Sequence, residues 1–147
     1  RAARDLLADI AVPGKPVLEA PIYETAPVGC PEGSPDFYNT VIEVSYEGTA
    51  EDLLDQTQAF QRQLGRPDIA ERNAPRVIDI DLLYFGDERV VTDRLNLPHP
   101  RLTVRRFVLQ PLADIRPELV LPGDTRTIRE HLGTVMDQEI HKAEVVM

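Results

Sequence analysis

The stretch RVIDIDLLYFG, residues 76–86, constrains the fold most because it predicts a strand with one acidic and one apolar face. Side chains alternate between the two faces of a strand, so Asp79 and Asp81 share one face and the intervening aliphatic residues share the other. We expect the aliphatic face to enter the core. The two carboxylates would then lie about 7 Å apart along the strand.

Two interpretations of this acidic pair stay open at this point. Carboxylates this close repel each other, and a bound divalent cation would relieve the repulsion. Carboxylate oxygens suit Mg²⁺, which takes one or two of them and completes its shell with water and substrate phosphates. The alternative is the solvated polar face of an edge strand. Nucleases, polymerases and sugar transferases also carry Asp-x-Asp, so the motif alone names no reaction.

Basic residues on both sides of the acidic pair favour the first interpretation. They are Arg66, Arg72 and Arg76 upstream, and His99, Arg101, Arg105 and Arg106 downstream. Arginine binds phosphate through two parallel hydrogen bonds and keeps its charge. Carboxylates for magnesium beside arginines for phosphate are typical of phosphoryl transfer. Taken singly, Arg72, Arg101 and Arg106 are interpreted as solvated surface residues.

The chain as a whole is predicted to form an α+β sandwich. Hydrophobic spacing and capping signals predict helices over residues 1–10, 50–64, 104–113 and 127–136, and strands over 17–25, 38–46 and 76–85. Pro21 marks an edge or bulge in the first strand. Capping boxes are predicted at Thr49–Asp52 and Thr127–Glu130. Residues 90–101 are predicted to be irregular.

Composition narrows the class of protein. The chain of 147 residues fits one domain, and its single cysteine excludes an internal disulfide. It contains no apolar run long enough for a membrane span and no signal peptide, so a cytoplasmic protein is expected. A net charge of −9 argues against a general nucleic-acid binder but permits a small anionic ligand.

Two long stretches carry a family resemblance. GRPDIAERNAPRVIDIDLLYFG, followed by LPHPRLTVRRFVLQPLADIRPEL, resembles the 6-hydroxymethyl-7,8-dihydropterin pyrophosphokinases of folate biosynthesis. The Pro-Arg-x-x-Asp-x-Asp motif with a downstream Pro-His and Arg-x-Phe is specific to that family, and YETAPVG and DFYNTVIEV extend the match. The resemblance implies a single domain over residues 1–147. Its fold would be ferredoxin-like, an α/β sandwich with a central antiparallel sheet.

The resemblance also implies a reaction and its nucleotide site. The family transfers the β,γ-diphosphate of ATP to the hydroxymethyl group of a reduced pterin and releases AMP. Asp79 and Asp81 would bind two Mg²⁺ ions that bridge the triphosphate, and Asp81 would also help to take the hydroxyl proton. The implied phosphate- and nucleotide-binding residues are Arg66, Arg76, Ile80, His99 and Arg105.

A pterin slot is implied by the same comparison. Its residues would be Thr25, Val28, Phe37, Asn39 and Phe107. A pterin is a flat heterocycle that needs an aromatic stack and hydrogen-bonding partners at its edge. The Asn39 amide can both donate and accept there. Without the resemblance, Asn39 would be a polar turn residue and Phe107 a core aromatic.

The sequence departs from the family pattern at its start and at three single positions. The family usually begins with a central strand and a Gly-Ser-Asn-x-Gly turn, so we expect an incomplete chain here. Asn73 stands where tryptophan is common, Asp68 where arginine is common and Gln61 where glutamate is frequent. These changes bear on rate and nucleotide affinity more than on reaction type. The segment 66–75 is expected to close over ATP and exclude water.

Other functions stay open. The chain could be a non-catalytic homologue that binds nucleotide or pterin, a nuclease that uses the aspartate pair, or a ferredoxin-like interaction module. Its acidity and few aromatic residues argue against the nuclease. The expected partners are ATP and the pterin, without nucleic acid or membrane, in a monomer or weak dimer. Cys30, His131 and His141 are interpreted as surface residues.

Overall fold

The computed structural model describes residues 2–25, 37–63 and 80–143. The helices are α1 (Ala2–Ile10), α2 (Ala50–Gln63), α3 (Arg106–Ile115) and α4 (Ile128–Gly133), with a 3-10 turn at Leu102–Val104. The strands are β1 (Leu18–Glu19), β2 (Tyr23–Thr25), β3 (Phe37–Asn39), β4 (Ile42–Glu43), β5 (Val90–Val91), β6 (Asn96–Leu97) and β7 (His141–Lys142). This mixture of helices and antiparallel strands agrees with the predicted α+β class. None of the described helices has the length and apolarity that crossing a bilayer requires.

Three small antiparallel sheets occur in the described residues, where the sequence predicted one central sheet. β1 pairs with β4, β2 lies between β3 and β7, and β5 pairs with β6. The predicted strand 17–25 is interrupted at Pro21, which has no N–H to donate. The predicted strand 38–46 is interrupted opposite it at Thr40. The Thr40 hydroxyl lies 2.9 Å from the Ala20 carbonyl oxygen and 3.1 Å from that of Pro21.

Helix α2 begins as predicted at a reciprocal cap. The Asp52 N–H donates to the Thr49 hydroxyl oxygen at 3.1 Å, and the Thr49 N–H donates to the Asp52 carboxylate at 3.4 Å. The inner face of α2 is buried at Leu53, Thr57 and Phe60.

Helices α3 and α4 form the main core. The buried cluster consists of Val41, Leu102, Leu109, Leu112, Leu121, Ile128 and Val135. The predicted Thr127–Glu130 capping box of α4 is present, with both hydrogen bonds at 3.1 Å. The helix ends at Gly133 rather than Met136. The Thr134 N–H and hydroxyl both donate to the His131 carbonyl, which closes the last turn tightly.

The prediction of a strand over 76–85 is wrong for its described part, residues 80–85, which form no ladder. A strand needs a hydrogen-bonded neighbour along its length. Among the described residues, this segment accepts two backbone bonds, from the His99 N–H to the Leu83 carbonyl at 2.7 Å and, within the following turn, from the Glu88 N–H to the Phe85 carbonyl at 3.0 Å. The predicted alternation holds only at the start of this segment: Asp81 is exposed between half-buried Ile80 and Leu82, but residues 83–85 are all half-buried as well.

Residues 90–101 are more ordered than predicted. β5 and β6 pair as a short hairpin, which Thr92 and Leu95 close through mutual hydrogen bonds. Leu95 and Leu97 then pack with Ala50 and Leu54 in a second buried cluster. Alternation was too short here to reveal the strands, since each has only two residues.

Candidate functional site

A cavity of about 680 Å³ separates two walls of extended chain. One wall consists of residues 38–46 and the other of residues 80–88, and Leu53 and Thr57 of α2 also line the space. Three predicted site residues line this cavity, namely Asn39, Ile80 and Asp81. A residue assigned to the pterin and a residue assigned to the metal therefore face one common space.

Gln61 holds the second wall in place beside Asp81. Its side-chain oxygen accepts the Ile80 backbone N–H at 2.7 Å. A glutamine oxygen satisfies this donor without bringing another negative charge towards the Asp81 carboxylate. The departure from glutamate noted in the sequence therefore has a structural role at this point.

His99 lies within electrostatic reach of Asp81. Burial lowers the pKa of His99, the charges of Arg105 and Arg101 lower it further, and the Asp81 carboxylate opposes them. His99 Nδ1 accepts the Arg101 backbone N–H at 3.1 Å. The imidazole is therefore neutral near pH 7, and its Nε2–H is the remaining donor.

Arg105 and Phe107 form a second part of the site at the start of α3. The guanidinium carbon of Arg105 lies 5.4 Å from the centroid of the Phe107 ring. This is the distance of a cation–π contact. Arg105 precedes the helix with extended backbone angles, φ −121° and ψ 113°. The contact places a cation and an aromatic ring next to each other, and both side chains are half-buried.

Strands β2 and β3 present the other predicted pterin residues. Tyr23 pairs with Asn39, and Thr25 pairs with Phe37. The Tyr23 hydroxyl donates to Asp114 of α3, the helix that carries Phe107. The described members of the predicted slot thus belong to elements that pack together.

One polar group of the cavity was missed by the sequence analysis. Glu43 accepts hydrogen bonds from the Tyr84 hydroxyl and from the Arg116 guanidinium. Burial opposes ionisation of Glu43, but Arg116 and Tyr84 outweigh it and hold its pKa below the ordinary value. Glu43 and Tyr84 lie on opposite walls. No local signal identifies this contact, because the partners are 41 and 73 residues apart.

Two of the predicted surface residues need correction, and four predicted site residues lie outside the described part of the chain. Arg106 is not a solvated surface residue, since its guanidinium donates to the carbonyls of Met136 and Gln138. His131 is not a free surface residue, since its Nε2 lies 2.5 Å from the Asp124 carboxylate. Arg101 and His141 are exposed as predicted. The predicted residues Val28, Arg66, Arg76 and Asp79, together with Cys30, lie outside the described residues.

Asp81 is the described carboxylate that the sequence assigned to a metal site. Within residues 2–25, 37–63 and 80–143, no group of three or more His, Cys, Asp or Glu side chains is arranged to hold an ion. Mg²⁺ needs only one or two carboxylates when water and phosphates complete its shell. An exposed Asp81 carboxylate that lines the cavity fits that requirement as one ligand.

Comparison with known proteins identifies the family of the chain. The profile of the family described as "7,8-dihydro-6-hydroxymethylpterin-pyrophosphokinase (HPPK)" matches residues 1–117. The chain is 40% identical over 118 residues to the 2-amino-4-hydroxy-6-hydroxymethyldihydropteridine pyrophosphokinase of Pseudomonas aeruginosa, covering 80% of this chain and 70% of that protein. It is 32% identical over 126 residues to the enzyme of that name from Haemophilus influenzae, covering 86% and 77%.

A longer relative matches more of the chain. The folic acid synthesis protein fol1 of Pneumocystis carinii is 33% identical over 137 residues, or 92% of this chain. The chain spans 18% of the length of that protein. With a family profile matching residues 1–117, the chain belongs to the 7,8-dihydro-6-hydroxymethylpterin-pyrophosphokinase family.

Proposed function

We propose that the protein transfers the diphosphate of ATP to the hydroxymethyl group of 6-hydroxymethyl-7,8-dihydropterin, giving AMP and the pterin diphosphate in folate biosynthesis. The observation that carries this proposal is the shared cavity of Asn39 and Asp81, together with the electrostatic effect that both Asp81 and Arg105 exert on His99. Membership of the pyrophosphokinase family supports the same reaction.

The nucleotide is bound by donors and cations around the second wall. A neutral His99 donates its Nε2–H to a phosphate oxygen, and Arg105 adds a fixed positive charge. Arg66 and Arg76 hold the phosphates and stabilise the charge that develops during transfer, and Ile80 contributes to the nucleotide site. Positioning and charge stabilisation supply most of the catalysis in reactions of this class.

Asp79 and Asp81 hold two Mg²⁺ ions in this proposal. The ions supply neutralisation of the triphosphate charge when they are bound. Asp81 is exposed in the cavity, so its carboxylate can also accept the proton that the hydroxymethyl group loses.

The pterin lies in the slot that is formed by Thr25, Val28, Phe37, Asn39 and Phe107. The Asn39 amide pairs with the edge of the heterocycle, and the Phe107 ring stacks on its face. Arg105 polarises the Phe107 ring from a distance of 5.4 Å, which joins the two substrate subsites at the start of α3.

The architecture that goes with this function is one domain over residues 1–147 with a ferredoxin-like sandwich. The protein works in the cytoplasm as a monomer or weak dimer. Its partners are the two small-molecule substrates, and the net charge of −9 disfavours nucleic acid.

The test is an assay of AMP release from ATP with Mg²⁺ and the hydroxymethyl pterin. We expect AMP and pterin diphosphate in equal amounts, and no AMP when the pterin is omitted. Asp79→Asn should abolish the Mg²⁺-dependent transfer, while an Asp87→Asn variant on the same cavity should retain it. Absence of AMP from the unchanged protein would refute the proposal, and retained activity in Asp79→Asn would remove the metal assignment.

A non-catalytic binding homologue is the second candidate, and Asn73 and Asp68 in the segment 66–75 favour it. In the family, tryptophan is common at position 73 and arginine at position 68, and neither is present here. Calorimetry with ATP and pterin separates the two functions, because the non-catalytic homologue binds ligand but releases no AMP.

A further inference from the structure

Helix α3 takes its amino-terminal cap from a distant residue. Arg105, which precedes the helix, gives no capping hydrogen bond from its own side chain. The cap comes instead from Gln138, whose Oε1 accepts the Arg106 backbone N–H at 2.9 Å. The first N–H groups of a helix have no partner within the helix, so Gln138 satisfies one of them from outside.

The other end of the same amide fixes the chain before the helix. Gln138 Nε2 donates to the Val104 carbonyl oxygen at 2.9 Å. The Val104 carbonyl belongs to the peptide group before Arg105, and the Arg106 N–H belongs to the peptide group after it. Because φ and ψ are the soft dihedral angles of a residue, one planar side chain restrains both of them at Arg105.

The segment that carries Gln138 is itself held firmly. The Arg106 guanidinium donates to the carbonyls of Met136 at 3.1 Å and Gln138 at 2.7 Å. Further along, β7 pairs with β2, and the Ala143 N–H donates to the Ile22 carbonyl at 2.8 Å. The Gln138 side chain is exposed, and it projects from a segment that these hydrogen bonds hold in place.

We propose that Gln138 is a positioning residue for Arg105 and, through it, for the terminal phosphates of ATP; the inference rests on the proposed function. Without Gln138, the backbone of Arg105 can rotate and carry the guanidinium away from the Phe107 ring and the Asp81 side of the site. Gln138 lies beyond residues 1–117, which match the family profile.

The test compares Gln138→Ala with Asp137→Ala, an exposed neighbour, as the matched control. In the full-length protein, we expect Gln138→Ala to raise KM for ATP about five-fold, since it removes two hydrogen bonds. KM for the pterin should change much less. Gln138→Glu keeps the acceptor for Arg106 and loses the donor to Val104, so it should give an intermediate KM for ATP. If Gln138 had only a structural role, Gln138→Ala would lower the amount of active enzyme and leave the KM for ATP and the KM for the pterin unchanged.

Calorimetry with a non-hydrolysable ATP analogue and Mg²⁺ distinguishes failure of the proposed function from failure of the positioning role of Gln138. If the unchanged protein releases no AMP, the proposed function fails, and weaker analogue binding by Gln138→Ala still supports the positioning role. If analogue affinity and KM for ATP equal those of Asp137→Ala, the inference is overturned. The inference is also overturned if the unchanged protein does not bind the analogue. Should Gln138→Ala fail to fold, Gln138→Glu decides by the same comparison.

Discussion

Removal of the Tyr23 hydroxyl should loosen the contact between β2 and α3. Tyr23 is 8% exposed and donates to Asp114, so Tyr23→Phe keeps the ring and deletes one hydrogen bond to a charged acceptor. Such bonds contribute about 1.5–3 kcal/mol. Asp114 is exposed and regains water when the hydroxyl is lost, which puts the expected loss near the lower end, about 1.5 kcal/mol.

The pH dependence gives an independent measure of the same contact. Burial, followed by the hydrogen bond and charge of Asp114, raises the pKa of Tyr23 from 10.0 to about 12. A raised pKa means that the folded state favours the neutral phenol. Its contribution to stability is therefore complete below pH 10 and is lost as the pH rises towards 12.

Urea unfolding of both proteins at neutral pH and at pH values through this window tests the reasoning. We expect the difference in unfolding free energy to be about 1.5 kcal/mol at pH 7 and to shrink as the pH rises. Equal free energies of unfolding for Tyr23→Phe and the unchanged protein at pH 7 would refute the account. A pH-independent difference would show that the lost stability does not come from the phenol.

Three further predictions concern the nucleotide site and α4. Arg66→Ala should mainly lower kcat, because Arg66 is proposed to stabilise charge during transfer; unchanged turnover in the AMP assay would reject that role. His99→Gln should raise KM for ATP, and the KM of the unchanged protein should stay constant from about pH 7 to 8 because the pKa of His99 lies below its ordinary value. If the KM for ATP instead changes between pH 7 and 8, and His99→Gln abolishes that change, the imidazole is not neutral in this range. Thr127→Ala should lower the free energy of unfolding by about 1 kcal/mol through loss of the cap. Thr125→Ala, which lies outside the capping box, should unfold at nearly the same urea concentration as the unchanged protein. Equal losses of unfolding free energy in the two variants would exclude the cap as the cause.

Local patterns in the sequence predicted local structure well. The boxes at Thr49–Asp52 and Thr127–Glu130 were correct because each depends on residues three positions apart. Strand formation at residues 80–85 was predicted wrongly, since hydrogen-bonded pairing depends on a neighbour that alternation does not reveal. The break at Thr40 arises from carbonyls about twenty residues away, so no local pattern could mark it.

The residues of the candidate site also differ in whether a local sequence pattern could identify them. Asp81 stood out by itself, as a charge in an apolar stretch. Asn39 entered only through the family resemblance, and the structure then placed both residues on one cavity. Arg106 was misinterpreted as a surface residue because its partners, Met136 and Gln138, follow 30 and 32 residues later. Long-range partners of this kind decide which charges are free to meet a ligand.

The hydrogen bond between Glu43 and Tyr84 crosses the cavity from one wall to the other. Arg116 holds the Glu43 carboxylate from outside, so the walls cannot part at this point without breaking a charged network. The width of the opening is thus set before any molecule enters it. A ligand that fits this spacing binds a preorganised space and loses less free energy to rearrangement of the protein.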